Sequence, residues 1–138
     1  MTDRTNDLLR IRPEIIKIQH KQGMLSEERF QNETIRPILN FQNPLLIAIF
    51  QNYIRTRKNV FHTLTIDKRI VYIENSLSKD QNFINIMKGL VIGHFTLEEY
   101  TNYLLHPSSY NKRVLKMIME RIKDQEHLFK SPAATYRS

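Results

Sequence analysis

The side chains best suited to acid–base or metal chemistry in this chain are five histidines: His20, His62, His94, His106 and His127. No two of them fall at i, i+3 or i, i+4. A metal site on a helix needs such a pair, or pairs facing each other from neighbouring helices. Asp124 and His127 form one weak ligand pair at i, i+3. Helix ends favour histidine in any case, so no metal and no cofactor is expected. His94, Glu98, Tyr103 and His106 gather in one short stretch and offer an acid, a base and a hydrogen-bond donor. Helix capping and a turn account for each of these residues without catalysis. No nucleophile stands beside a base, so no catalytic residue is assigned and the reading leans away from an enzyme.

A basic segment offers different chemistry. Arg55, Arg57, Lys58, Lys68 and Arg69 lie within fifteen residues, interleaved with Tyr53, Phe61 and His62. Cations for phosphates and flat rings for bases are what a single-stranded nucleic-acid site needs. The competing account is cations at a helix C-terminus and aromatics turned into the core. The net charge of +7 is unevenly spread, +1 over residues 1–46, +4 over 47–95 and +2 over 96–138. A basic excess favours anionic partners, and many proteins without such partners share it.

Other chemistries are excluded. The absence of cysteine removes thiol catalysis, disulfides and cysteine-ligated metal. Three glycines cannot build a phosphate loop or a dinucleotide fingerprint. A helix–turn–helix around Gly93 fails on charge. No Lys or Arg occurs between Lys88 and Lys112, and Glu98 and Glu99 would face the polyanion.

The elements that hold these residues are helical. Gly93-His94-Phe95-Thr96-Leu97-Glu98-Glu99-Tyr100 predicts the end of one helix and the start of the next. Gly93 suits a left-handed C-terminus, Thr96 and Glu99 form a T-x-x-E capping box, and Phe95 is placed to staple onto Tyr100. Residues 1–12 are expected to form a loose arm. A short helix follows from Pro13 to about His20, broken at Gly23. Ser26 caps a helix with Glu27 and Glu28 in its first turn, and Leu25 can staple onto Phe30. Pro37 should kink or break that helix near Glu33–Pro37.

Asn43-Pro44 predicts a fresh start for a central helix over 44–57. Its run Leu45–Phe50 is wholly apolar, so burial on all sides is expected. Thr65 opens a helix striped by Ile66, Ile70, Ile73 and Leu77. Asp80 opens another with Phe83, Met87, Leu90 and Val91 inward. The capped helix from Thr96 ends near Leu105 at Pro107. Ser108 or Ser109 caps the last helix, with Leu115, Ile118, Ile122 and Phe129 on its apolar side. Lys112, Lys116, Glu120, Lys123 and Asp124 face water, and residues 131–138 form a tail. The predicted fold is all-α, a single irregular bundle of six or seven helices around a buried central helix.

The stretches Arg29-Phe30-Gln31-Asn32, Arg36-Pro37-Ile38, Phe41-Gln42-Asn43, Tyr72-Ile73-Glu74-Asn75 and Gly93-His94-Phe95-Thr96 resemble a small, uncharacterised all-helical bacterial family. The resemblance spans about Ile11 to Gln125. It implies a helical fold and supplies no function. Some members of that family are labelled glyoxalase. Glyoxalases of the usual kind hold a divalent metal on curved β-sheets with His and Glu ligands, and the pattern here predicts no sheet and contains no H-x-x-x-H, H-x-x-E or E-x-x-H pair.

The polar N-terminus has no apolar signal core, and the longest apolar run is far short of the roughly 20 residues that span a membrane. A soluble cytoplasmic protein is therefore expected, with no membrane partner. Its expected mode of action is contact with a protein partner or a second copy. Binding of an anion or single-stranded nucleic acid through Arg55–Arg69 stands second. An enzyme whose pocket is assembled from distant side chains stands third. The first predicts an exposed apolar patch, the second a contiguous basic one, the third a deep polar pocket.

Overall fold

A computed structural model describes residues 3–12 and 26–131, and the described residues are all-α without a strand. The expected helix from Pro13 to His20, the break at Gly23, the Leu25 staple and most of the tail lie outside them. Among the described residues seven α-helical segments make six rods: α1 (Arg4–Ile11), α2 (Ser26–Phe30) continuing into α3 (Arg36–Thr56), α4 (Ile66–Ser76), α5 (Gln81–Ile92), α6 (Leu97–Tyr103) and α7 (Pro107–Asp124).

Pro37 does not break the long helix. Between α2 and α3 the turns widen to a π-helix, Gln31–Ile35, and the Arg36 amide donates to the Gln31 carbonyl. Proline lacks an N–H and crowds the carbonyl four residues back. The wider register relieves that crowding, which is why the π segment sits immediately before the proline. The rod then runs through Pro44, so Asn43-Pro44 is not a helix start. The Pro44 ring is on the exposed side, and Asn43 is used differently. Asn43 and Gln125 exchange two amide hydrogen bonds of 2.8 Å, tying α3 to the end of α7.

The central helix is buried along one stripe rather than all round. Ile38, Leu39, Leu46, Phe50 and Ile54 are inaccessible, whereas Leu45 is 46% exposed. The same one-sidedness holds in α4, where Ile73 and Leu77 are buried and Ile66 is 66% exposed. In α5, Phe83, Met87 and Val91 turn inward as the spacing predicts, whereas Leu90 is only half-buried. The last helix is a hub of the core: Tyr110, Val114, Met117, Ile118 and Ile122 are buried against α3, α4 and α5. Pro107 is its first residue, so the cap falls on His106 rather than on Ser108 or Ser109. Ser109 instead donates to Glu27. Phe129 joins the core from beyond a 3-10 turn, Glu126–Leu128.

The N-terminal segment, expected as a loose arm, contains α1 and is pinned at both ends. Arg4 donates to the Phe95 carbonyl at 2.6 Å and to the Gly93 carbonyl at 3.1 Å. Arg12 closes on Glu99. α1 has no buried apolar side chain, so hydrophobic periodicity carried no sign of this docking.

Candidate functional site

The turn from α5 to α6 is held by a dense set of hydrogen bonds. Thr96 accepts from the Glu99 amide at 3.1 Å, and Glu99 accepts from the Thr96 amide at 2.9 Å, so the capping box forms as the sequence predicts. Gly93 is right-handed here, at φ −60°, so left-handed freedom is not its role. A Cβ at Gly93 would meet the Gly89 carbonyl at 3.0 Å, a tight approach that a larger residue would have to relieve by a small shift. Phe95 packs on Phe30 and Tyr103 rather than closing a staple on Tyr100, which is 43% exposed.

Glu99 receives more than the box. Arg12 donates to both of its oxygens at 2.6 and 2.9 Å, and Thr34 adds a bond of 3.1 Å. Burial alone would raise the Glu99 pKa, yet these donors outweigh it and hold the carboxyl below its ordinary range. Nothing in this arrangement leaves Glu99 free to move a proton. His94 beside it has a lowered pKa, through burial first and then the charges of Arg12 and Arg4. Tyr103 donates to Asn111, while Glu98 and His106 face solvent. The four residues around this turn thus have separate structural settings.

The basic segment is dispersed by its own partners. Arg57 donates to Asp80 at 2.7 Å and lies 3.4 Å over the Tyr53 ring. Tyr53 donates to the same Asp80 at 3.0 Å. Burial, helped by that bond, pushes its pKa up to about 12. Arg69 donates to the Phe61 and His62 carbonyls and to Glu126 at 2.7 Å. Arg55 folds back on Asn52. Lys58 and Lys68 are exposed, and Lys58 and Asn59 take left-handed backbone (φ 59° and 55°) where α3 turns towards α4. Phe61 is wholly buried and Tyr53 nearly so, so these rings serve the core.

Asp124 is the last residue of α7, and His127 lies in the turn beyond, so the helix end separates that pair. Among the described residues no group of three or more His, Asp or Glu side chains converges as a metal site. No helix among them is long and apolar enough to cross a membrane.

The surface that stands out lies along α3 and α5. The two helices run antiparallel: Phe41 meets His94, Gln42 donates to the Leu90 carbonyl, and Tyr53 packs on Phe83. That register sets Phe41, Leu45 and Ile49 of α3 alongside Leu90 and Ile86 of α5. Phe41 is 41%, Leu45 46% and Ile86 54% exposed, with Ile49 and Leu90 half-buried between them. Exposed Gly89 and Gly93 keep the α5 side low. Residues 37–54 include no Asp, Glu, Lys, Arg or His, and Lys88 lies about 160° round α5 from Ile86. The strip is therefore apolar and uncharged on a chain of net charge +7. The gap in charge was legible in the sequence. Its exposure was not, because an apolar run reads as core.

Comparisons with family models, with curated proteins and with solved structures find no match to this chain.

Proposed function

We propose that this protein acts by contact rather than catalysis, and that the α3–α5 strip pairs with a second copy of the chain. The observation that carries this reading is an exposed apolar strip, Phe41, Leu45 and Ile86, within a charge-free stretch of a strongly basic chain. Interface cores are depleted of charge and enriched in large apolar side chains. Two copies of net charge +7 repel one another, and an uncharged face is where they approach at least cost. A two-fold pairing would set the same strip against itself.

Sedimentation velocity over a concentration series tests this reading. The wild type should form dimers. Leu45→Asp and Ile86→Asp should each be monomeric with unchanged helical circular dichroism, since both side chains are exposed. A wild type that stays monomeric at its highest soluble concentration would refute self-association and leave the strip to a different protein. The alternative reading, an anion or single-stranded nucleic-acid site at Arg55, Arg57, Lys58, Lys68 and Arg69, has less support because Arg57 and Arg69 already hold carboxylates.

A further inference from the structure

The opposite flank of the long helix has the reverse character. Between α7 and the π-to-α3 stretch lies a groove of 730 Å³, a volume within the range of small-molecule sites. Lys112 and Lys116, one turn apart on α7, stand on one wall, and Arg36 and Arg121 line it further along. Arg113 completes the set. Against these five cations the lining holds only Glu120 and Asp124.

The cations are unequally occupied. Arg113 is bonded to Gln31 at 2.8 Å and lies 3.6 Å from Glu27. Among the described residues Arg36 and Arg121 have no carboxylate partner in an ion pair. They donate to the neutral side chains of Asn32 and Asn40 respectively. Burial first, and the neighbouring Arg36 second, lower the pKa of Arg121. Like charges lining one groove repel each other until an anion bridges them. Lys112 and Lys116 are exposed and make no ion pair within the described structure.

We infer that this groove binds a linear oligophosphate, held by Lys112 and Lys116 on one wall and by Arg36 and Arg121 further along. Several cations in a row match successive phosphate charges. Arginine adds paired N–H donors, and lysine adds mobile point charges. The lining has no aromatic ring, and its one apolar side chain is Met117. A base would therefore have nothing to stack on, which separates this site from a single-stranded nucleic-acid groove. The site shares no residue with the α3–α5 strip and does not depend on dimerisation.

Titration calorimetry of the full chain with sodium tripolyphosphate tests the inference. The wild type should bind one tripolyphosphate per chain, more weakly as salt rises. Lys112→Gln/Lys116→Gln should weaken binding roughly tenfold or more. These two side chains are exposed, so the fold should survive. Arg36→Gln/Arg121→Gln should weaken it at least as much. Lys58→Gln/Lys68→Gln, which removes two cations elsewhere, should leave it unchanged. No binding by the wild type would overturn the proposal, as would equal weakening by the Lys58/Lys68 pair, which would reduce the effect to net charge. Binding of duplex DNA through the same four residues without any for tripolyphosphate would also overturn it, in favour of a nucleic-acid backbone.

Discussion

Two arginine–carboxylate clasps hold helix starts in this molecule, and they differ in one respect. Arg12 closes on Glu99 at the start of α6, and Arg57 closes on Asp80 at the start of α5. In each, the acid also accepts a backbone N–H of its own cap and a side-chain hydroxyl, from Thr34 in the first and Tyr53 in the second. The first clasp is buried, with side chains 9% and 17% exposed. The second is open, at 43% and 27%. Water screens the open pair, so exposed pairs of this kind contribute about 0–1 kcal/mol. A charge left alone in the buried pair has no such relief. Similar chemistry thus makes Arg12–Glu99 a fastening for a whole segment and Arg57–Asp80 a local trim.

Glu99→Gln is the sharpest way to break that contrast. It leaves the Arg12 guanidinium buried beside an amide, and the expected loss is about 3–5 kcal/mol in urea denaturation. Hydrogen exchange should show α1 released with it. A loss no larger than that of Asp80→Asn would mean that burial does not separate the two clasps.

Acid should separate the clasps from the histidines. Glu99 and Asp80 both have folded pKa values below their ordinary 4.5 and 3.8. Their contributions are complete above those values and are lost as pH falls through the lower folded ones. His62 and His94 also titrate below their ordinary 6.5 when folded, each through burial first and nearby arginine second. The unfolded chain then takes up protons first, so stability should begin to fall as pH drops below 6.5. Denaturation midpoints should decline in two stages, and His94→Gln should flatten the upper one. A midpoint constant between pH 6.5 and 4.5 would show that neither histidine is shielded in the folded state.

The caps themselves give smaller effects. Thr96→Ala removes one half of the capping box, and the expected loss is about 0.5–2 kcal/mol. Asp80→Asn keeps a good capping residue but gives up the oxygen shared by Arg57 and Tyr53, so its loss should be about 0.2–1.5 kcal/mol. The reverse order in thermal melts would place the critical cap on α5.

These differences also mark what was legible in the sequence. Caps are local, a few residues in a row, and Thr65, Asp80 and Thr96 were each readable from spacing alone. The all-α class followed from apolar repeats of three and four. What escaped were long-range polar bonds. Nothing local relates Arg12 to Glu99, 87 positions away, or Asn43 to Gln125, 82 away. A polar arm without an apolar stripe reads as loose, yet two arginines dock it. The same blindness governs the surfaces. Leu45 and Leu46 are neighbours of one type, one half exposed and one inaccessible, and only the packing of α5 and α7 against α3 decides which. The α7 groove joins residues some 80 positions apart, so its charge appears in the sequence merely as two ordinary helix faces.

The smallest expected effect concerns the basic segment at the open clasp. In Arg55→Gln/Arg57→Gln/Lys58→Gln, Arg57 is the only one of the three to lose a carboxylate partner among the described residues. Arg55 loses bonds to Asn52, and Lys58 loses a solvated charge in a left-handed turn. The stability change should therefore be set by Arg57, about 0.3–1 kcal/mol at low salt, and should fade as salt rises. Binding is the more telling readout. If these cations only trim a helix end, removing them leaves any affinity for single-stranded nucleic acid as it was. Arg57 already spends its donors on Asp80 and its flat face on Tyr53, and Phe61 is buried. Arg55 and Lys58 stay exposed, but no free ring is left beside them for a base to stack on. Fluorescence anisotropy with a labelled oligonucleotide decides the matter. Salt-sensitive binding by the wild type that vanishes in the triple variant, with tripolyphosphate binding at the α7 groove intact, would transfer the anion site to Arg55–Arg69.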